Sequence, residues 1–367
     1  MYTIVTTGLI IFLLWTWINA KFLPKLPQKA QVQGKPLVSV LVPLRNEERN
    51  AKGLVQSLQS LTYPHLEFIL LDDQSTDQTL IVLQDAIGQD QRFQLLTGKE
   101  LPPDWIGKVH ACHQLQQQAK GDYFLFIDAD VRLKPSIIER SLTLLQKKNA
   151  KLLTGFSAFE VPSFLNKLLV PMQHFVVLFH LPIALANYTN LPATTAAHGA
   201  FMLFERTTYQ KIGGHQAVRS SLVEDVHFAR QLKKQGERVL LANITEQVIC
   251  HMYETNREVW EGFLKNIYIG LGRSPLLVFC LTLFYSVFYI VPLIWLIYGL
   301  VSGQWFYCIP YFFTALQRFY VDQLTNQRKF IAWLMPLSAL AFITIMHASM
   351  WKSWLKQSYQ WKGRQYS

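Results

Sequence analysis

Residues 123–130 read YFLFIDAD: five apolar or aromatic residues, then two carboxylates separated by one alanine. A short aromatic-rich run of this kind predicts a buried β-strand. A turn beginning at Asp128 would bring Asp128 and Asp130 toward one ligand at the strand's carboxyl end, where open α/β sheets bind their ligands. Working outward, residues 37–42 (LVSVLV), 67–71 and 93–96 predict three further strands. Polar, helix-period stretches at 46–59, from about 76, and at 108–119 alternate with them. This alternation predicts an α/β domain with a largely parallel sheet. Ser75 or Thr76 is expected to cap the helix that begins near 76.

The flanks are of a different kind. Half of the 367 residues are hydrophobic and only 16% are charged, too apolar for a purely soluble enzyme. Residues 2–20 carry no charged side chain and have the length of a membrane span. Lys21, Lys25, Lys29 and Lys35 follow that run, which by the positive-inside rule predicts a cytoplasmic domain in a multi-pass protein of the cell membrane. A second apolar region divides into 276–301, 305–320 and 330–350. Three spans are the simplest count. Three would, however, put the basic tail outside, so one stretch lying in the interface is the alternative. The expected domains are therefore an anchor and linker at 1–35, an α/β domain at 36–274, and a C-terminal transmembrane region with its tail at 275–367. Residues 161–188, broken by Pro162, Pro171 and Pro182, suit an amphipathic segment lying on the membrane, or flooring an acceptor groove, better than a span.

The net charge of +11 admits anionic lipid or phosphate ligands. No basic stripe interleaved with aromatics points to nucleic acid. The four cysteines show no paired spacing, which predicts neither a zinc site nor a disulfide framework.

Three acidic clusters carry the candidate chemistry. LDDQSTDQT at 71–79 follows a strand, so Asp72 and Asp73 can meet a nucleotide base, or can simply belong to a capped turn. Asp128 and Asp130, 55 and 57 residues beyond Asp73, suit a divalent cation on a diphosphate, since oxygen ligands favour Mg2+ or Mn2+. Glu224 and Asp225 head a helical stretch that ends at a glycine. The helix dipole favours acids there whatever their function. A group transfer also needs a base, and Asp225 is the candidate. Lys108 opens a helix and can reach a phosphate or remain solvated. His198 and Gly199 are candidates to line an acceptor site. His110 and His113 read as ordinary side chains.

From residue 38 to about 265 the chain resembles family 2 glycosyltransferases. VSVLVPLRNEERN is similar to their opening strand and helix, LDDQSTDQT to their nucleotide-binding DDGSTDGT, IDAD to their DxD, and the stretch 198–236 with its ED pair to their acceptor half. The resemblance implies a GT-A fold with N- and C-terminal transmembrane helices, a UDP-sugar donor, inversion at the anomeric carbon and a divalent metal, Mg2+ or Mn2+. By it, Asp73 with Asp72 meets uracil, Asp128 the ribose or metal, Asp130 the metal, and Asp225 is the base. Gln74 stands where the family has glycine. The processive QxxRW motif is absent, with Arg257 and Trp260 nearby at a different spacing as acceptor-side candidates, so a single transfer is expected instead of polymerisation. LPPDWIGKVHACHQL, REVWEGFLKN and the terminal QWKGRQYS resemble the membrane branch that glycosylates carotenoids. That implies glucose as the sugar and a lipid or carotenoid acid as acceptor. Hopanoid, polyprenyl phosphate and glycerolipid acceptors, and a non-catalytic scaffold or flippase, stand as alternatives.

Overall fold

The apolar runs pair side by side, and all but the edge run at 93–97 are buried on both faces, the pattern of strands covered by helices. Val38, Val40, Leu41 and Val42 are fully buried in the first of them. In chain order the main strands are β1 (Val38–Leu44), β2 (Leu66–Asp72), β3 (Phe93–Thr97), β4 (Tyr123–Ile127), β5 (Val131–Leu133), β6 (Leu152–Phe156), β7 (Phe201–Glu205), β8 (Val239–Asn243) and β9 (Val248–Cys250). All but β5 and β9 form one seven-stranded sheet in the order β3-β2-β1-β4-β7-β6-β8. β1 to β4 run parallel, as expected from the sequence, and β7 runs antiparallel to both β4 and β6. β5 and β9 pair antiparallel within a second, three-stranded sheet.

This computed structural model describes residues 1–355 and, beyond them, the backbone of a strand pair at Tyr359–Trp361 and Arg364–Tyr366. The side chains of the basic tail, Lys356, Trp361, Lys362 and Arg364 among them, lie outside the described residues.

Two compact units emerge, and they cross the boundaries expected at 36 and 274. The sheet unit comprises residues 22–158 and 181–252, and the helical unit residues 1–21, 159–180 and 253–367. Among the described residues of the helical unit, three helices are long and apolar enough to cross a membrane: Tyr2–Ala20, Pro275–Ser302 and Lys329–Trp354. The expected middle span is instead the shorter helix Ile309–Leu324, which encloses the ion pair Arg318–Asp322 at 2.8 Å. Charged groups of that kind are costly in hydrocarbon and explain why the stretch departs from a simple span. The prolines of 161–188 break it into helices Phe164–Leu169, Met172–His180 and Ile183–Tyr188, none of spanning length.

One local expectation fails. The helix after β2 is Thr79–Ile87, and neither Ser75 nor Thr76 caps it. Ser75 Oγ accepts from the Asn46 amide at 2.9 Å and the Thr76 amide donates to Asn46 Oδ1 at 2.8 Å. These side chains are spent on tying the β2 loop to the β1 loop. Asp77 Oδ1 takes the amide of Thr79 instead, at 3.0 Å.

Candidate active site

The parallel register sets Leu44, Asp72 and Thr97 side by side at the carboxyl edge of the sheet. The Asp73 amide donates to Leu44 O at 2.7 Å and the Gly98 amide to Asp72 O at 2.8 Å, which fixes the loop after β2. Asp72 is buried, its Oδ2 accepts from the Ser75 amide at 3.3 Å, and its Oδ1 has no hydrogen-bond partner among the described residues. A buried carboxylate oxygen with unused lone pairs suits an N–H donor from a ligand. The Arg45 guanidinium donates to the carbonyls of Asp73 and Gln74. Sequence reading passed over Arg45, although its place directly after β1 was a signal.

Gln74 has φ +58, the left-handed region that a side chain strains. The glycine-to-glutamine departure therefore falls at a position that needs glycine's conformation. Gln74→Gly is expected to raise stability by about 0.5–1 kcal/mol, read as a higher apparent melting temperature. A lower one would mean that the Gln74 side chain makes a compensating contact.

Antiparallel pairing builds the rest. Ile127 of β4 faces Phe201 of β7, so the residue after Ile127 meets the segment before Phe201. Asp128 and His198-Gly199 are thereby neighbours. Val131 of β5 faces Cys250 of β9, and the His251 amide donates to Asp130 O at 2.9 Å. Into this ring the helix Gly107–Gln118 sends Lys108, whose Nζ lies 2.7 Å from Asp128 Oδ1 and 3.1 Å from Glu224 Oε1. The helix Glu224–Lys234 presents Glu224 and Asp225 in its first turn. Asp225 Oδ2 accepts from the Gly199 amide at 3.0 Å and its Oδ1 from the Val226 amide at 2.7 Å. A Cβ on Gly199 would sit 3.3 Å from Lys108 Nζ and 3.7 Å from both Glu224 Oε1 and Asp225 Oδ2. Glycine here keeps the wall between the two carboxylates and the amine thin.

The charges follow from this packing. Burial, then the neighbouring Glu224 carboxylate, holds the Asp225 carboxyl up to about 7, against the two amide hydrogen bonds and the Lys108 charge. Burial opposes the charge on Lys108, and the carboxylates of Asp128 and Glu224 outweigh it, holding the amine well above its ordinary range. Burial pushes the His198 imidazole down to about 4, so it is neutral near pH 7. The Cys250 thiol is pushed up by burial and then by the charges of Asp130 and Asp128. Cys250 and His251 were missed from the sequence, where a CH pair 120 residues beyond Asp130 carries no signal.

Lys108→Met is expected to lower stability by about 1–3 kcal/mol, a partly exposed pair being worth less than a buried one. The loss should be larger at pH 8 than at pH 5, because Asp225 gives up its proton between those values into a cluster lacking its cation. Equal losses at both pH values, in melts of the two proteins, would contradict that coupling.

The structure thus gathers Asp72, Asp73, Lys108, Asp128, Asp130, His198, Gly199, Glu224 and Asp225 in the sheet unit. Arg257 and Trp260 belong to the helical unit, on the helix Asn256–Gly270, where exposed Arg257 pairs with Glu261 at 2.8 Å. His110 and His113 do not form a metal pair: they engage Gln114 and Gln117, each at 3.1 Å. Among the described residues no three His, Cys, Asp or Glu side chains converge as a ready-made metal cage.

Known proteins give this arrangement a context. The chain is 23% identical over 276 residues to a 4,4'-diaponeurosporenoate glycosyltransferase of Staphylococcus haemolyticus, covering 73% of this chain and 71% of that protein. It is 25% identical over 138 residues to an Escherichia coli UDP-Glc:alpha-D-GlcNAc-diphosphoundecaprenol beta-1,3-glucosyltransferase, covering 37% of this chain and about half, 52%, of that one. Its fold matches that of a mannosyltransferase of Pyrobaculum calidifontis, solved with GDP-mannose and Mn2+, at a TM-score of 0.56 and 16% identity, covering 97% of this chain and 100% of the other. That likeness bears out the GT-A architecture expected from the motifs. The profile described as glycosyl transferase family 21 matches residues 1–367. The ordered acidic motifs, the mixed α/β sheet that brings them to one edge and this full-length match agree, and the chain belongs to glycosyl transferase family 21.

Proposed function

We propose that this glycosyltransferase moves a hexose, glucose from UDP-glucose, with inversion onto a membrane-dissolved isoprenoid acceptor such as a carotenoid carboxylic acid. The observation that carries the transferase reading, as distinct from the choice of acceptor, is the Asp225 carboxyl held near 7 beside Glu224 and against Gly199, at the edge where the donor motifs meet. A base works best with a pKa near the operating pH. A lipid-type acceptor is supported by the relatives' names, which specify a diaponeurosporenoate and an alpha-D-GlcNAc-diphosphoundecaprenol for those proteins. The three apolar helices support a membrane protein, and the lysines after the first of them favour a cytoplasmic catalytic unit in the cell membrane.

In this reading the unused Asp72 Oδ1, with Asp73 beside it, accepts from the uracil N–H. Asp128 faces the ribose and is steadied by Lys108. Asp130, with Asp128, would hold Mg2+ or Mn2+. Two carboxylates on one turn, with the Asp130 carbonyl held by the His251 amide, fit a hard cation that completes its shell with water and substrate phosphate oxygens. The ion would supply charge neutralisation for the departing diphosphate. The acceptor oxygen attacks the anomeric carbon from the face opposite the diphosphate, the C–O bond to the diphosphate breaks, and Asp225 takes the proton when the acceptor is a hydroxyl. His198, neutral, and Gly199 line the acceptor side.

Mild alkali distinguishes the acceptor classes. A glucosyl ester of a carboxylic acid is cleaved by it, and a glycoside of a hopanoid or glycerolipid hydroxyl survives. Release of free glucose from the cellular product supports the carboxylate acceptor; a glycosidic bond that survives, on the intact lipid or on deacylated glycerol, moves the acceptor to an alcohol.

A further inference from the structure

Two buried polar side chains in the sheet unit hold a greasy segment outward. Asn187, in the short helix Ile183–Tyr188, donates to Leu241 O at 2.9 Å and to Phe22 O at 3.1 Å, and accepts from the Leu241 amide at 2.8 Å. It stitches the helix to the edge strand β8. Lys233, only 2% exposed, donates from Nζ to Ala186 O and Thr194 O, each at 2.7 Å. Burying an ammonium is costly, and here that cost fixes the backbone of residues 186–194 at both ends. The apolar side chains between and beside these anchors nevertheless stay in solvent: Phe22 is 39% exposed, Leu185 40%, Tyr188 47% and Leu191 51%. A segment free to relax would bury them; this one is tied so that it cannot.

Charge and connectivity indicate what covers the patch. Lys148 Nζ lies 5.6 Å from the centre of the Tyr188 ring, and Arg238, exposed, donates to Lys148 O at 2.7 Å. Phe22, whose ring is 6.4 Å from that of Tyr188, follows the apolar helix Tyr2–Ala20 by two residues. A chain leaving a spanning helix is still at the bilayer surface two residues later. Apolar and aromatic tips bordered by basic groups match the boundary between acyl chains and phosphate headgroups.

We propose that Phe22, Leu185, Tyr188 and Leu191 form a membrane-docking surface of the catalytic unit, inserted at the acyl–headgroup boundary with Lys148 and Arg238 on the phosphates. The docked segment continues through residues 189–197 into His198-Gly199, so the acceptor side of the site is tethered to the lipid surface. The proposal rests on the membrane reading of the first helix and not on the identity of acceptor or donor.

The test uses the full chain, with exposed Cys280 replaced by Ser, reconstituted in vesicles of mixed phosphatidylcholine and phosphatidylglycerol. A bimane label is placed at Leu191→Cys, with Tyr188→Cys as a second site, and at Ile81→Cys, 54% exposed elsewhere on the same unit, as the comparison. Lipid carrying a headgroup-proximal nitroxide should quench the first two labels at least about twofold more than the third. Equal weak quenching at all three sites would overturn the proposal. So would protection of Leu191 from both lipid and aqueous quenchers, the signature of a protein contact. The readout is independent of turnover, so failure here leaves the transferase reading standing.

Discussion

Asp225→Asn is expected to lower kcat/KM by about 10²–10⁴-fold for a hydroxyl acceptor, the usual worth of a positioned base, and by far less for a carboxylic acid acceptor. The difference follows from the acceptor's own proton. A carboxylic acid with an ordinary pKa near about 4 has already lost it at pH 7, whereas a hydroxyl has not. The wild-type rate with a hydroxyl acceptor should rise with pH through about 7, the value that burial and Glu224 give Asp225, and the variant should lack that limb. A structural control accompanies it. The folded carboxyl holds its proton up to about 7 against an ordinary 3.8, so wild-type stability falls as pH rises between those values. The variant has no proton to lose, so its melting temperature should gain on the wild type across that window. Equal rate losses on both acceptor types would remove Asp225 from the role of base.

The largest effect is expected at Asp130. It sits where β4 gives way to a turn, its carbonyl fixed by His251 and its carboxylate sharing with Asp128 an action on the Cys250 sulfur. In the proposed reading, Asp130→Ala removes a carboxylate that would hold the cation on the diphosphate. The transfer rate should fall by at least about 10³-fold, comparable with losing a principal electrostatic stabiliser of the transition state. Folding is checked separately, by the melting temperature of the variant in the absence of donor and metal, because the Asp130 side chain also acts on the Cys250 thiol.

Much of this site was legible in the sequence because each acidic motif follows an apolar run that reads as a strand or opens a helix. Strand register then does the assembly. Asp72 lands beside Thr97, and Asp128 beside His198, through pairings that alternating apolar runs imply without fixing. Less legible were groups whose part depends on a partner far along the chain. Lys108 reads as one more helix-start lysine until Glu224 is brought to the same amine. Cys250 and His251 reach Asp130 only through the β5–β9 pair, three residues long on each side. The cap after β2 was misread because Ser75 and Thr76 have a competing partner in Asn46, which sequence spacing does not reveal. In the C-terminal region hydropathy identified the apolar stretches, and Arg318 with Asp322, which close on each other within one helix, set the middle stretch apart from the two of spanning length.

The central claim is a metal-dependent transfer from a nucleotide sugar to a lipid-dissolved acid. Its most direct test incubates membranes carrying wild type or Asp130→Ala with UDP-glucose, Mg2+ and extracted carotenoid acid, and follows the product by mass. A glucosyl ester formed by wild type alone, and lost when the cation is chelated, is the expected result. Equal product from both proteins, or transfer undiminished by chelation, would contradict the account.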